Sequence, residues 1–340
     1  MDKIKVGIVG FGWFGKKHFK VWRDIDSVEV VAIADKNINR VIKEKPLQEK
    51  FHIESETLEL ELKGIPLYTS IEELLQHEDV DVIDVVVDEE NHYSVAKTAL
   101  EYNKHIIVEK PFVTKYNHAL ELVNTATQKG LKIFVGHILR FDKRNQYIKD
   151  YIRKGYLGEI RYLSFKRNFQ PTAHLVYGRS HPFFSAMIHD IDLALWFTQK
   201  KVVKAYAFTK HLLKRENPDV LIAVLEFEND ILCRIENIWH VSSSCPYGFE
   251  YEIAIYGSKA TILQSNTPDI KVWSENRVEY PELFFWPTIG GKIDGALKEE
   301  LEHFVKCIRE NKESEVIPLR DVVEGIKVAD MLRNSKSGKL

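Results

Sequence analysis

A lysine in "HIIVEKPFVTK" and a histidine in "SAMIHDIDLALW" have the residue types that could handle the proton of a hydroxyl group. Lys110 follows an apolar strand pattern, with Glu109 before it and Pro111 after it. At the carboxyl end of a buried strand, an ammonium group can hydrogen-bond a substrate hydroxyl or stabilise alkoxide charge. His189 lies in an apolar, helix-like run that also holds Asp190 and Asp192. Imidazole titrates nearest neutrality, so it suits the proton that must leave an O–H while hydride leaves the carbon. At helical spacing Ser185, His189 and Asp192 share one face, Asp190 points elsewhere, and Met187, Ile191, Leu195 and Trp196 serve the core. Asp192 reads as a partner that orients the imidazole or as a local cap, and Asp190 as incidental. Taken alone, each residue is more often structural: a surface lysine, a satisfied core histidine.

A third stretch gives them a context. "VGIVGFGWFGKKHF" places Gly10, Gly12 and Gly15 in G-x-G-x-x-G spacing, after a strand pattern and at the start of a helix pattern. Asp35 ends the next strand pattern, twenty residues past Gly15. That combination is the dinucleotide fingerprint. Gly10 allows the tight turn, Gly12 lets the backbone approach a pyrophosphate, and Gly15 lets the helix pack on the strand. Trp13 and Phe14 open the helix whose free N–H groups would face the phosphates. Asp35 would accept ribose hydroxyls and repel a 2′-phosphate, which favours NAD. Lys36 beside it offsets the repulsion and leaves NADP open.

The elements that must position these residues fall into two rhythms. "KIKVGIVGFG", "VEVVAIAD", "VDVIDVVVD", "KHIIVEKP" and "LKIFVGHILRF" are continuous apolar runs separated by helical patterns, as in a parallel sheet covered on both faces. From about residue 150 the strand patterns lengthen and alternate, as in "GEIRYLSFKRNF" and "VLIAVLEFENDILCRIENIWH", whose polar break signals a hairpin. The expected fold is an α/β Rossmann domain over residues 1–122. An α+β domain with a large, mostly antiparallel open sheet follows over 123–340, and its final helix is expected to pack back on the first domain. Helices are expected over 186–197, 297–310 and 322–334, and an ordered loop over 275–295. With 340 residues the chain is long enough for two such domains. A net charge of −2 argues against a nucleic-acid or anionic-membrane partner. No apolar run nears the length of a membrane span, and the N-terminus enters a strand at once, leaving no room for a signal peptide. Cys233, Cys245 and Cys307 are scattered, which suits a reducing cytoplasm, and the histidines show no metal-ligand spacing.

The glycine turn with His18 three residues after Gly15, Asp35, "EKPFVT", "GHILRF" and "IHDIDLALWF" together resemble the Gfo/Idh/MocA oxidoreductase family. The likeness runs over nearly the whole chain. The family includes glucose–fructose oxidoreductase, inositol dehydrogenases and sugar or nucleotide-sugar dehydrogenases. The resemblance implies a nicotinamide cofactor along the strand ends, a substrate between the cofactor and the second sheet, and a homodimer or homotetramer formed through that sheet. It implies Lys110 as the substrate-contacting catalytic lysine and His189 as the acid/base. Val87, Glu89, His92, Glu109 and Lys110 would line the cofactor, with His92 on the nicotinamide side.

Two departures stand out against that pattern. Ser185 occupies the place of an aspartate four residues before the histidine, which puts inositol-type chemistry in doubt; some nucleotide-sugar members lack that aspartate. Val87, Asp88 and Glu89 replace the usual Thr-Pro-Asn. Arg140, Arg167 and Arg179 are further candidate substrate contacts, Arg179 within the polar loop "QPTAHLVYGRSHPFF". The leading expectation is an NAD(P)-dependent dehydrogenase or reductase acting on a CH–OH group of a sugar or polyol. The alternatives are a cofactor-sensing protein without catalysis and an NAD-dependent glycosidase of the same fold.

Overall fold

The continuous apolar runs become strands buried on both faces. The computed structural model describes residues 2–39, 62–245, 248–265, 270–273 and 278–335. Its first sheet comprises β1 (Ile4–Val9), β2 (Val28–Ala34), β3 (Leu67–Tyr68), β4 (Val82–Val85), β5 (His105–Glu109) and β6 (Ile133–Gly136). Helices α1 (Trp13–Arg23), α2 (Ile71–His77), α3 (His92–Glu101) and α4 (Tyr116–Lys129) alternate with the strands. The order is β3-β2-β1-β4-β5-β6, and every pairing is parallel. The strand order reverses direction at β1 and β4, and the crevice outside their carboxyl ends is where such sheets bind ligands.

The alternating patterns become a second sheet. Along the chain come α5 (Lys143–Arg153), β7 (Ile160–Phe169), α6 (His174–Tyr177), α7 (Pro182–Ser185) and α8 (Ile188–Thr198). Then follow β8 (Val202–Lys210), β9 (Val220–Phe227), β10 (Ile231–Ile238), β11 (Phe249–Gly257) and β12 (Thr261–Ser265). The order is β12-β11-β7-β10-β9-β8, antiparallel except for the parallel β7–β10 pair. The expected hairpin joins β9 to β10, with Asn229 and Asp230 at φ 64° and 57°, residue types that tolerate left-handed backbone. Leu221, Ala223, Leu225 and Phe227 alternate inward along β9, so one face of this sheet is covered.

The remaining elements are two short ladders, β13 (Val272–Trp273) with β14 (Val278–Glu279) and β15 (Thr288–Ile289) with β16 (Lys292–Ile293), then α9 (Ala296–Arg309) and α10 (Leu319–Asn334). The loop expected over 275–295 therefore holds three short strands, and its residues 275–277 lie outside the described residues.

Two compact units emerge, and their limits correct the expected boundary at 122. The first is 1–113, 117–136 and 288–319; the second is 114–116, 137–287 and 320–340. β6 belongs with the first sheet because Ile133, Phe134 and Val135 are buried there, pairing with β5 from Ile106↔Ile133 to Glu109↔Gly136. The chain then returns to the first unit through α9, whose Phe304 ring stacks on Phe134 at 4.9 Å. The final helix belongs to the second unit. Its Gly325 sits against α8, where a Cβ would lie 3.7 Å from Ile188 Cδ1. Among the described residues no helix is long and apolar enough to cross a membrane.

Candidate functional site

The first unit gathers its candidate residues at the carboxyl ends of β1, β2, β4 and β5. Gly10 has φ +100°, and a Cβ there would lie 2.4 Å from the Val86 carbonyl oxygen. A Cβ at Gly15 would lie 2.1 Å from the Gly10 carbonyl oxygen, so the helix approaches the turn more closely than any side chain permits. Gly12 is the opposite case: a Cβ there would meet nothing within 4 Å. Gly12 is also the N-cap of α1, which has no side-chain cap and no acidic residue in its first turn. The first N–H groups of the helix are thus offered outward, an arrangement suited to a pyrophosphate. Asp35 is half-buried and fastens this turn, accepting the Phe11 N–H at 2.8 Å and the Asn37 N–H at 2.7 Å. Lys36 is exposed. Trp13 and Phe14 are half-buried and stacked, ring centroids 5.6 Å apart. An uncapped helix start, an open approach at Gly12 and a carboxylate at the end of β2 fit a dinucleotide.

The segment after β4 is drawn into the fold. Val87 and Asp88 are half-buried and Glu89 is buried, so the acidic pair does not simply face solvent. His92, expected beside the nicotinamide, is 1% exposed. Its Nδ1 lies 2.7 Å from the Pro111 carbonyl oxygen and its Nε2 3.1 Å from that of Val87. Burial holds its pKa below the usual value, although both carbonyls pull the other way. A neutral ring donates its single N–H to one of these two carbonyls, which ties His92 between the 87–92 segment and the Glu109–Pro111 corner; its near-complete burial corrects its assignment as a cofactor contact.

At that corner Glu109 is buried and Lys110 half-buried. The Lys110–Pro111 peptide is cis. Glu109 Oε2 accepts the Lys110 N–H at 3.2 Å. A Cβ at Gly136 would lie 2.4 Å from Glu109 Oε1, so a side chain there would displace this carboxylate. Behind it lies a cluster in which sequence reasoning singled out His18 but not Asp84 or Trp22. His18 on α1 places Nδ1 2.9 Å from Asp84 Oδ2 and Nε2 3.4 Å from Glu109 Oε1, the second a charge contact longer than a good hydrogen bond. Trp22 Nε1 donates to the same Asp84 oxygen at 2.6 Å. The available signal was Asp84 itself, a carboxylate inside the apolar run "VIDVVV", which burial without a partner would forbid.

Burial opposes charge on His18, but Asp84 and then Glu109 outweigh it and push its pKa up to about 10. A folded-state pKa raised above the ordinary 6.5 contributes stability that is fully present below about pH 6.5. That contribution is lost as pH rises through about 10. The expected result is a melting temperature that falls toward alkaline pH in the native chain and falls less steeply in His18→Gln. Parallel curves would show that His18 is not charged in the fold.

In the second unit α8 carries His189, which is half-buried. Ser185 is fully buried, but it ends α7 and the chain breaks helical register at Ala186, φ −119°. It therefore does not share a continuous helical face with His189, as the spacing implied. Both aspartates beside His189 are committed to arginines. Asp190 accepts Arg167 Nε at 2.9 Å and Nη2 at 2.8 Å, and is fully buried rather than incidental. Asp192 accepts Arg140 Nε at 3.0 Å and Nη2 at 2.7 Å, with His137 Nδ1 3.6 Å away, so its partner is Arg140 and not His189. Arg140 also reaches Asp321 on α10 at 3.1 Å. Arg167 further packs over the Tyr251 ring at 4.7 Å. Arg140 and Arg167 are therefore buried ion-pair residues, which corrects their assignment as substrate contacts. At about 100° per residue, Asp190 and Asp192 point to opposite sides of the His189 direction, so the two pairs fix the rotation of α8. Arg179 is exposed.

Comparison with known proteins bears on this arrangement. Residues 4–137 match the family described as the oxidoreductase family with an NAD-binding Rossmann fold, GFO_IDH_MocA. Residues 145–263 match the C-terminal domain of that family. Inositol 2-dehydrogenase of Salmonella typhimurium is 25% identical over 260 residues, covering 75% of this chain and 72% of that protein. Myo-inositol 2-dehydrogenase of Thermotoga maritima is 23% identical over 314 residues, covering 90% of this chain and 88% of the other. The crystal structure of myo-inositol 2-dehydrogenase from Lactobacillus plantarum superposes with a TM-score of 0.80 at 21% identity, covering 98% of this chain and 97% of that one.

Proposed function

This chain belongs to the Gfo/Idh/MocA oxidoreductase family, and on that premise we propose that it is an NAD-dependent dehydrogenase acting on a CH–OH group of a polyol or sugar. The observation that carries the reading is the pairing of the uncapped glycine turn with Lys110 at the carboxyl edge of the same sheet. When bound, the nicotinamide supplies the hydride acceptor. The N–H groups at the start of α1 hold the pyrophosphate, and Asp35 accepts the ribose hydroxyls. Lys110 donates to the substrate oxygen and stabilises its developing negative charge. His189 takes the hydroxyl proton in oxidation and returns it in reduction.

Substrate class follows from the relatives and from one departure. The names of both curated relatives place inositol among their substrates, and a cyclic polyol is the first candidate. Ser185 in place of an aspartate favours a second reading, a nucleotide-linked sugar, because a fully buried serine supplies neither a carboxylate nor a base beside His189 at neutral pH. The test is a screen of purified protein with NAD and a panel of inositols, sugars, sugar acids and nucleotide sugars, followed by nicotinamide absorbance. Reduction with a free polyol supports the first reading, and reduction only with nucleotide sugars the second. Cleavage of a glycoside without net reduction would instead favour the glycosidase chemistry.

Asp35 sets the cofactor preference. Asp35→Asn removes the charge that repels a 2′-phosphate, and the ratio of NAD to NADP affinity is expected to fall by roughly tenfold or more. Equal ratios, measured by quenching of protein fluorescence, would place the discrimination elsewhere.

The outward face of the second sheet supports self-association. Tyr206, Phe208, Leu232, Tyr256 and Leu263 are all exposed there, Leu263 at 70%. An apolar face of that kind fits a second copy of the chain, giving a homodimer or homotetramer. Phe208→Glu with Leu263→Glu should lower the mass measured by light scattering; an unchanged mass would remove this face from the interface.

A further inference from the structure

We propose that His18 is a positioning residue that holds the Glu109 carboxylate, and through it Lys110, at the carboxyl edge of β5. The inference rests on the dehydrogenase reading for its kinetic consequence but not for its geometry.

Three elements meet at one carboxylate, and a fourth holds it through His18. Glu109 Oε1 lies 3.4 Å from the Nε2 of His18 on α1 and occupies the space a side chain at Gly136 on β6 would take. Glu109 Oε2 accepts the Lys110 N–H. His18 is in turn fixed from behind by Asp84 on β4, which Trp22 also holds. The Phe14 ring packs edge-on against the imidazole at 4.8 Å, so the same histidine touches the helix turn expected to bind cofactor. His18 is 1% exposed and Asp84 0%, and neither can reach a substrate from the interior of the sheet edge. What they can do is fix the rotation of the Glu109 side chain. A doubly protonated imidazole offers an N–H to each carboxylate, whereas a neutral ring offers one and turns a lone pair toward the other. Without that donor Glu109 is free to leave Gly136, and the backbone that carries Lys110 loses one of its braces.

The test uses His18→Gln, Glu109→Gln, the double variant and Asp84→Asn in the full chain. Asp84→Asn keeps an acceptor for Trp22 while removing the charge that favours the imidazolium, so it serves if His18→Gln does not fold. The first readout needs no substrate: the acetylation rate of Lys110, followed by peptide mass spectrometry. It is expected to change by about threefold or more in each single variant, equivalent to about half a pKa unit, and no further in the double variant. The second readout is kcat, expected to fall roughly 10–100-fold with a smaller change in KM, again without additivity. Folded His18→Gln and Asp84→Asn proteins with unchanged Lys110 reactivity, or effects that multiply with Glu109→Gln, would reduce His18 to a core residue and overturn the proposal. A shifted Lys110 reactivity with no turnover of any screened alcohol would support the positioning role and count against the dehydrogenase reading instead.

Discussion

Lys110→Ala is expected to lower kcat by roughly 10²–10⁴-fold while changing NAD affinity by no more than about twofold. The asymmetry follows from where the residues sit. The glycine turn and Asp35 occupy the ends of β1 and β2, whereas Lys110 stands at the end of β5 on a corner held by Glu109 and His92. Removing the ammonium deletes a donor to charge that develops on the substrate oxygen, an interaction felt mostly in the transition state. His189→Ala should give a loss of similar size, with a pH dependence that differs from Lys110→Ala because a proton acceptor rather than a charge is lost. Near-normal turnover in either variant would remove that residue from the chemistry. A parallel loss of cofactor affinity in Lys110→Ala would make it a binding residue.

Breaking the Arg167–Asp190 pair is expected to cost about 3–5 kcal/mol of folding stability, because either single substitution leaves a buried partner uncompensated. Asp190 is fully buried and Arg167 nearly so, with two bonds between them of 2.8 and 2.9 Å. Arg167→Met and Asp190→Leu should each shift the urea midpoint strongly, while the double variant should recover most of the loss, since an apolar pair of similar volume satisfies the site. Activity should separate the two roles of the pair. The double variant regains stability but loses one of the two anchors that fix the rotation of α8, so its kcat should stay depressed. Full recovery of both would show that the pair serves folding alone.

The parts of the fold that repeat a local pattern were legible in the sequence. The buried parallel strands, the alternating second sheet, the β9–β10 hairpin and the helix bearing His189 each follow from the period of apolar residues. The glycine turn was legible because Gly10 and Gly15 answer to close backbone approaches that no other residue allows. The arginines were not. Arg140 finds Asp192 at 52 residues' separation and Asp321 at 181, and Arg167 finds Asp190 at 23, distances over which spacing carries no signal. A basic residue near a site then looks like a substrate contact until its buried partner is seen. Ser185 was misread for a local reason: helical spacing was assumed through Ala186 and Met187, where the backbone steps from one short helix to another. The domain boundary was placed too early because β6 completes the first sheet, and α9 returns to that unit from far along the chain.

The dehydrogenase reading requires hydride to move from a carbinol carbon of the substrate to the nicotinamide. It is tested most directly with a substrate deuterated at its ring carbons, oxidised alcohol and reduced cofactor both being followed by mass spectrometry. The expected product is reduced nicotinamide carrying one deuterium, formed in equal amount with the carbonyl product and abolished by Lys110→Ala. Reduced nicotinamide without deuterium, or a protein that binds NAD yet reduces none with any polyol, sugar or nucleotide sugar, would contradict that reading.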